Sequence, residues 1–347
     1  MRDVAALADV SIKTVSRVIN GEKYISPTVA GRVQEAIHRL NYRHNMVASQ
    51  LRAGARSSAI GVILVDISNP FSSTVFRAIE DAFRESGVAV LSASTDEQAQ
   101  RERDAVHAFS MRRVDGLVIM PASHDQGYLL PEVAAGMHVV IIDRPPGFLN
   151  VDSVVSENRS GARAAVEHLI AGGHRRIGLI GDRSEIATAR LRFEGYAEAL
   201  ARQGVDVDPS IVRQGFVTTD AAEQATHALF KSENPPSALF VSQNALALPT
   251  IRALRALGLQ SQIAVVAFDG FEGADLLEPG LTVMTQDPVR MGHAAAHILM
   301  RRLAGDASPR ENQVLPMAFI MRGSGEIPGP FMSRMRNARR HASRSAP

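Results

Sequence analysis

Polar and charged side chains recur at one kind of place in this chain, directly after short apolar runs. Asn69 and Phe71 follow Ile60–Val65, and Asp143-Arg144 follow Val139–Ile142. Arg192 lies in the stretch opening after Ile180, and Gln243-Asn244 follow Ala238–Val241. Phe268-Asp269 close the run Ile263–Phe268, and Gln286 follows a further short run. Carboxylates and an arginine fork can hydrogen-bond vicinal hydroxyls, while an aromatic face packs on the C–H side of a ring. The chemistry on offer is the holding of a small polyhydroxylated ring by Asn69, Phe71, Asp143, Arg192, Gln243, Phe268, Asp269 and Gln286. Arg144 is expected to pair with an acid, and Asp182 reads as a loop acid.

Catalysis is not expected. The chain has no Walker loop, no Gly-x-Gly-x-x-Gly opening and no clustered His/Glu metal spacing. Its 11 histidines are scattered, and the absence of cysteine removes thiolate metal sites, thiol nucleophiles and disulfides. We therefore expect no cofactor, no metal and no enzyme.

A second chemistry lies in the first twenty residues. Val4, Ala5, Leu7 and Ala8 give one short helix an apolar stripe, and Val15, Val18 and Ile19 give the next helix its own. Asp9-Val10-Ser11 between them is a tight turn, with Asp9 suited to the left-handed region and Ser11 to an N-cap. The outer face of the second helix then carries Ile12, Lys13, Thr14, Ser16, Arg17 and Asn20. Short, hydroxyl-rich and cationic, it suits a DNA major groove. Ser26-Pro27 starts a third helix with Val29, Val33, Ile37 and Leu40 as its seam.

Charge divides the chain in the same way. Residues 1–56 hold nine Lys/Arg against four acids, and residues 329–347 hold five Arg and no acid, although the whole chain is only +2. The rest is therefore about −8. A basic end on an acidic body is the footprint of docking on phosphates by one end. An apolar fraction of 45% with no run of membrane-spanning length points to a globular protein, and no leader precedes the first helix. A cytoplasmic location and no membrane partner are expected.

From Ser57 the rhythm is strand and helix in alternation. Besides the runs above, Val88–Ser92, Gly116–Met120 and Ile177–Ile180 read as strands. Val75–Ser86, Arg103–Met111, Ala162–Ala171, Ala189–Arg202, Ala221–Lys231 and Ala245–Leu257 read as helices. This alternation implies mostly parallel sheets with helices on both faces, and there are too many elements for one sheet. In such sheets ligands bind beyond the carboxyl ends of the strands, where the polar residues above fall.

These segments together resemble the lactose/galactose repressor family of bacterial regulators. The resemblance rests on Asp3-Val-Ala5, Ala8-x-Val10-Ser11-x-x-Thr14-Val-Ser-Arg-Val-Ile-Asn20, Ile25-Ser-Pro27, Leu40-Asn-Tyr42 and Asn45-Met-Val-Ala-Ser-Gln-Leu-Arg52. It continues through Ile60-Gly-Val-Ile63 and Asp66-Ile-Ser-Asn69-Pro-Phe71 to about Pro328. It implies an all-α helix-turn-helix headpiece at 1–44, a hinge helix at 45–56 and a periplasmic-binding-protein-like α/β body at 57–328. That body would have two doubly wound lobes, one from 57–156 plus 288–315 and the other from 157–287 plus 316–328. The three crossings would fall near Val154–Asn158, Gln286–Val289 and Leu315–Phe319. Residues 329–347 read as a basic, disordered tail.

The resemblance further implies a homodimer reading pseudo-palindromic double-stranded operator DNA, with Asn45, Leu51 and Arg52 at the minor groove. It implies a repressor of carbohydrate-utilisation genes answering to a sugar or sugar acid. A purine-responsive repressor of the same fold is the alternative; a sugar binder without DNA function is disfavoured by the headpiece. Asp143, Arg192, Asp269 and Gln286 match sugar-contacting positions of the family, and Asn69 and Phe71 its first-strand contacts. The chain departs from the family pattern at Gln243-Asn244, at Pro249 and at Pro288, where a stacking wall is lost.

Overall fold

The computed structural model describes residues 1–19, 25–42, 59–216 and 218–330. Asn20, the expected hinge with Asn45, Leu51 and Arg52, and most of the basic tail lie outside these residues. The chain divides into two compact units, residues 1–57 and 58–347.

The first unit holds α1 (Arg2–Leu7), α2 (Ile12–Ile19) and α3 (Pro27–Arg39). Val4, Ala5, Ala8, Val15, Val33 and Ala36 form its buried centre. Leu7 falls outside this centre and is 48% exposed, because at 100° per residue it sits on the flank of the Val4–Ala8 face. Along α3, Ala36 fills the middle of the seam, whereas Leu40 stands at the C-cap, exposed.

The second unit contains two six-stranded sheets. One is built from β1 (Ala59–Leu64), β2 (Ala89–Ser94), β3 (Gly116–Ile119), β4 (His138–Asp143), β5 (Asp152–Ser156) and β11 (Asn312–Leu315), in the order β11-β5-β4-β3-β1-β2 and all parallel. The other orders β12-β10-β9-β8-β6-β7, where β6 is Ile177–Ile180, β7 Val212–Arg213, β8 Ala238–Val241, β9 Ala264–Phe268, β10 Thr282–Thr285 and β12 Ala318–Ile320. Only β12 in that sheet runs antiparallel to its neighbour.

Side-chain alternation explains why both faces of each sheet are covered. Ile60, Val62 and Leu64 turn to one face, under α4 (Pro70–Phe83) and α11 (Pro288–Leu303). Ile63 turns to the other, under α5 (Ala99–Met111) and near the short α6 (Leu130–Ala134). In the second sheet Leu179, Phe240, Val266 and Phe268 meet α7 (Asn158–Ala171) and α8 (Ala187–Ala201). Ile180, Leu239, Val241 and Val265 meet α9 (Thr219–Phe230) and α10 (Asn244–Ala256). The two doubly wound lobes expected from the alternation are present.

The chain passes between the sheets three times, after β5, after β10 and between β11 and β12. Helix α11 was not among the helices read from the sequence. Its start signals are ordinary ones: Pro288 at the first position, and Asp287 accepting from the Arg290 N–H at 2.9 Å.

Candidate nucleic-acid interface and ligand cleft

The headpiece turn forms as its residue types require. Asp9 takes φ 50°, in the left-handed region that aspartate tolerates better than most residues. The Ser11 Oγ accepts from the Thr14 N–H at 3.1 Å and lies 2.9 Å from the Thr14 Oγ1, capping α2. With Val15 fully buried, the helix is fixed about its axis, and Ile12 and Lys13 stand exposed. Thr14, Ser16 and Arg17 are half-buried on the same short helix. Of the nine sequence-predicted DNA contacts, these five share α2; Asn20, Asn45, Leu51 and Arg52 lie outside the described residues.

The ligand cleft lies where the carboxyl ends of the two sheets meet. Its cavity is about 70 Å³. Among its lining residues are Asn69, Phe71, Asp143, Arg192, Gln243, Asp269 and Gln286, seven of the eight side chains expected from the sequence. Asp143 ends β4 and Asp269 follows β9; both hold positive φ, 65° and 59°. This conformation costs energy outside glycine and clusters at functional sites.

Phe268 is the exception. Period-2 alternation along β9 turns its ring to the helix-covered face, where it is fully buried. The Arg192 guanidinium lies 3.8 Å above the ring centroid. Its role is therefore to support the arginine from below, not to pack against a ligand. The remaining bonds of Arg192 complete that placement: Nε donates to the Asn158 Oδ1 and Nη1 to the Ser242 carbonyl, each at 2.8 Å. Nη2 faces the Asp269 Oδ2 at 3.8 Å. Burial lowers the pKa of Arg192, opposed by Asp269 and Asp143.

Asp269 is held on its other side by Gln286, whose backbone N–H and Nε2 donate to its two oxygens at 3.0 and 2.9 Å. This leaves the buried Gln286 Oε1 without a partner among the described residues. On the opposite wall Arg144 is clamped by Glu97, with Nη1 at 2.8 Å and Nη2 also bonded, and Nη1 reaches the Pro121 carbonyl as well. Burial alone would depress Arg144, but the bonds and charge of Glu97 raise its pKa instead. The Arg144 Nε has no hydrogen-bond partner there and stands 3.7 Å from the Asp143 Oδ2. Burial pushes the carboxyl of Asp143 above the ordinary range against the pull of Arg144 and Arg192, and raises Asp182 similarly.

Two amides join the walls. The Asn244 Nδ2 donates to the Asn69 Oδ1 at 3.1 Å, and the Asn69 Nδ2 to the Asn244 Oδ1 at 3.4 Å. The same oxygens cap their own helices, accepting from Phe71 N–H at 3.0 Å and Ala245 N–H at 2.8 Å. Gln243 stands beside this pair, half-buried, as the N-cap residue of α10. Arg190 points elsewhere: exposed, it meets the His124 Nε2 at 3.0 Å. Glu97 was missed from the sequence. The rule that ligands bind beyond strand ends would have found it, but β2 was read as ending at Ser92, two residues early.

Comparison with known proteins agrees with both halves. Residues 1–45 match the family model for bacterial regulatory proteins of the lacI family, and residues 166–325 match a periplasmic binding protein-like domain. The ribose operon repressor of Halalkalibacterium halodurans is 30% identical over 93% of this chain and 96% of its own. The transcriptional repressor PurR of Aliivibrio salmonicida is 28% identical over 87% of this chain and 92% of its own. A crystal structure of the Lac repressor dimer bound to operator and an anti-inducer superposes with a TM-score of 0.81 at 30% identity, covering 93% of this chain and 98% of that one. With the headpiece and the body matched in order, and a relative 30% identical along nearly the whole length, the chain belongs to the lacI family of bacterial regulatory proteins.

Proposed function

We propose that this regulator is a homodimeric repressor of carbohydrate-utilisation genes, reading a pseudo-palindromic operator and switched by a small sugar or sugar acid in the cleft. The observation that carries the effector class is the cleft lining: carboxylates, amides and two arginines, with Phe71 as its one aromatic side chain. A purine-responsive repressor is the second reading, since relatives named PurR are 28 to 29% identical. A planar base is best held between aromatic or apolar faces, and the single ring here supports a polyol better. Relatives of similar identity include a ribose operon repressor and the regulator CelR in complex with cellobiose.

On DNA, Lys13 and Arg17 are assigned to guanine O6/N7, Ile12 to a thymine methyl, and Thr14, Ser16 and Asn20 to phosphates or base edges. Asn45, Leu51 and Arg52 are assigned to the central minor groove, where Leu51 wedges a base step. Domain limits of 1–44, 45–56 and 57–328 belong to the same reading. It assigns binding and no catalysis, and a cytoplasmic place of action; no described helix is long and apolar enough to cross a membrane.

The test is selection of bound fragments from random DNA. We expect a two-fold symmetric motif, with Lys13→Ala relaxing base preference at one position in each half. A selected motif without symmetry, or an unchanged preference profile in the variant, would contradict the assignment.

A further inference from the structure

We infer that Glu97 is the specificity-determining residue of the cleft, and that by occupying Arg144 it restricts the effector to a hydroxyl-donating, non-anionic sugar. The inference rests on the sugar reading above and narrows it, since sugar acids and sugar phosphates would be refused.

The charges in the cleft lining are four carboxylates, Glu97, Asp143, Asp182 and Asp269, against the guanidiniums of Arg144 and Arg192. Arg144 is largely spent, and Arg192 in part. Glu97 and the Pro121 carbonyl take the terminal nitrogens of Arg144. Asn158 and Ser242 take two of the three nitrogens of Arg192. The nitrogen left on each already faces an aspartate, at 3.7 and 3.8 Å. An incoming carboxylate or phosphate finds no free fork on Arg144 and meets the surplus of negative charge in a buried site.

What the cleft still asks for is donors. Asp143 is 6% exposed, and among the described residues its ion pair is with Arg144, at 3.7 Å. Gln286, 5% exposed, and Arg144, 7% exposed, both line the cleft, and each keeps one buried polar atom, Oε1 and Nε, without a hydrogen-bond partner among the described residues. Hydroxyl groups match this set, because each donates one bond and accepts another. Glu97 reaches Arg144 only because the loop after β2 puts two successive residues, Asp96 and Glu97, at positive φ of 50° and 58°. Such backbone persists where the surroundings enforce it.

The experiment is calorimetric titration of the full chain with D-ribose, D-xylose, L-arabinose, D-glucose and D-galactose, with D-ribonate, D-gluconate, D-galactonate and the sugar phosphates as anionic congeners, and with hypoxanthine and guanine. We expect at least one neutral sugar to bind and its anionic congener to bind at least about 100-fold more weakly. In Glu97→Gln the ratio should narrow by at least about tenfold through gain of the anion, with Asp182→Asn moving it the same way. Anions that bind the unaltered protein as tightly as neutral sugars, or a ratio unmoved in both variants, overturn the inference and leave the sugar reading standing. Purine binding without sugar binding overturns both, as does silence across the whole panel.

Discussion

Arg302 and Arg192 are both buried and both face an aspartate, yet they are built in opposite ways. Arg302, on α11, donates Nε and Nη2 to the two oxygens of Asp152 at 2.9 and 2.7 Å. Its remaining hydrogens go to the carbonyls of Asp306, Ser308 and Pro309. Asp152 also accepts from the Glu311 N–H and from Arg310. That pair is complete and locks α11 to β5 and to the approach to β11. In the cleft the corresponding gaps are 3.7 Å at Asp143 and 3.8 Å at Asp269. The same chemistry serves as scaffold where its bonds are closed, and as a site where the last bond is left open.

The largest effect should come from breaking the closed pair. Asp152→Ala strands a buried guanidinium and should cost about 3–5 kcal/mol in denaturant unfolding. A loss below about 1 kcal/mol would erase the distinction between the two pairs. Asp143→Asn should do the reverse. We expect sugar affinity to fall by about 2 kcal/mol, a charge-assisted hydrogen bond's worth, with stability unchanged or slightly higher because a buried charge is gone. Equal losses in affinity and stability would make Asp143 part of the scaffold.

Acid and base should separate the pairs further, with a smaller effect. Burial works against the Asp152 carboxylate, but Arg302, the Glu311 N–H and Arg310 outweigh it and hold its pKa below the usual range. Its contribution is present above the unfolded value and lost as pH falls through the folded one. Asp143 and Asp182, raised by burial, contribute below the unfolded value and lose that contribution as pH rises through their folded values. Asp152→Asn should therefore flatten the acid side of a stability profile, and Asp143→Asn the decline above the ordinary carboxylate range. Slopes of the same sign in both variants would contradict this. The smallest effect belongs to Asn69→Ala, which removes the amide pair between the walls. A loss of about threefold in sugar affinity is expected, because the pair consists of two hydrogen bonds between neutral groups.

Motifs set by local rules were legible in the sequence. Asp9 and Ser11 mark the headpiece turn through backbone tolerance and capping, which need no distant partner. Asp143, Arg192, Asp269 and Gln286 follow strands, and strand ends converge in any doubly wound sheet. What escaped was fixed by tertiary context. Phe268 sits one residue before Asp269, and only the pleat decides that one faces the cleft and the other the helices. The grip of Glu97 on Arg144 joins residues 47 apart, and no spacing in the sequence announces it. Helix α11 hid because Arg290, His293, Arg301 and Arg302 blur the apolar stripe of Met291, Ala295, Ile298 and Leu299.

The amide pair between Asn69 and Asn244 also sets a clock. On the proposed reading, a ligand held behind it would leave when the two bonds part and the lobes separate, and exchange would then be governed by opening and not by diffusion. In stopped-flow mixing the observed association rate should level off at high sugar concentration, at a value equal to the opening rate. On the sugar reading proposed above, such a regulator would average over brief fluctuations in supply and answer to supply that lasts longer than one opening.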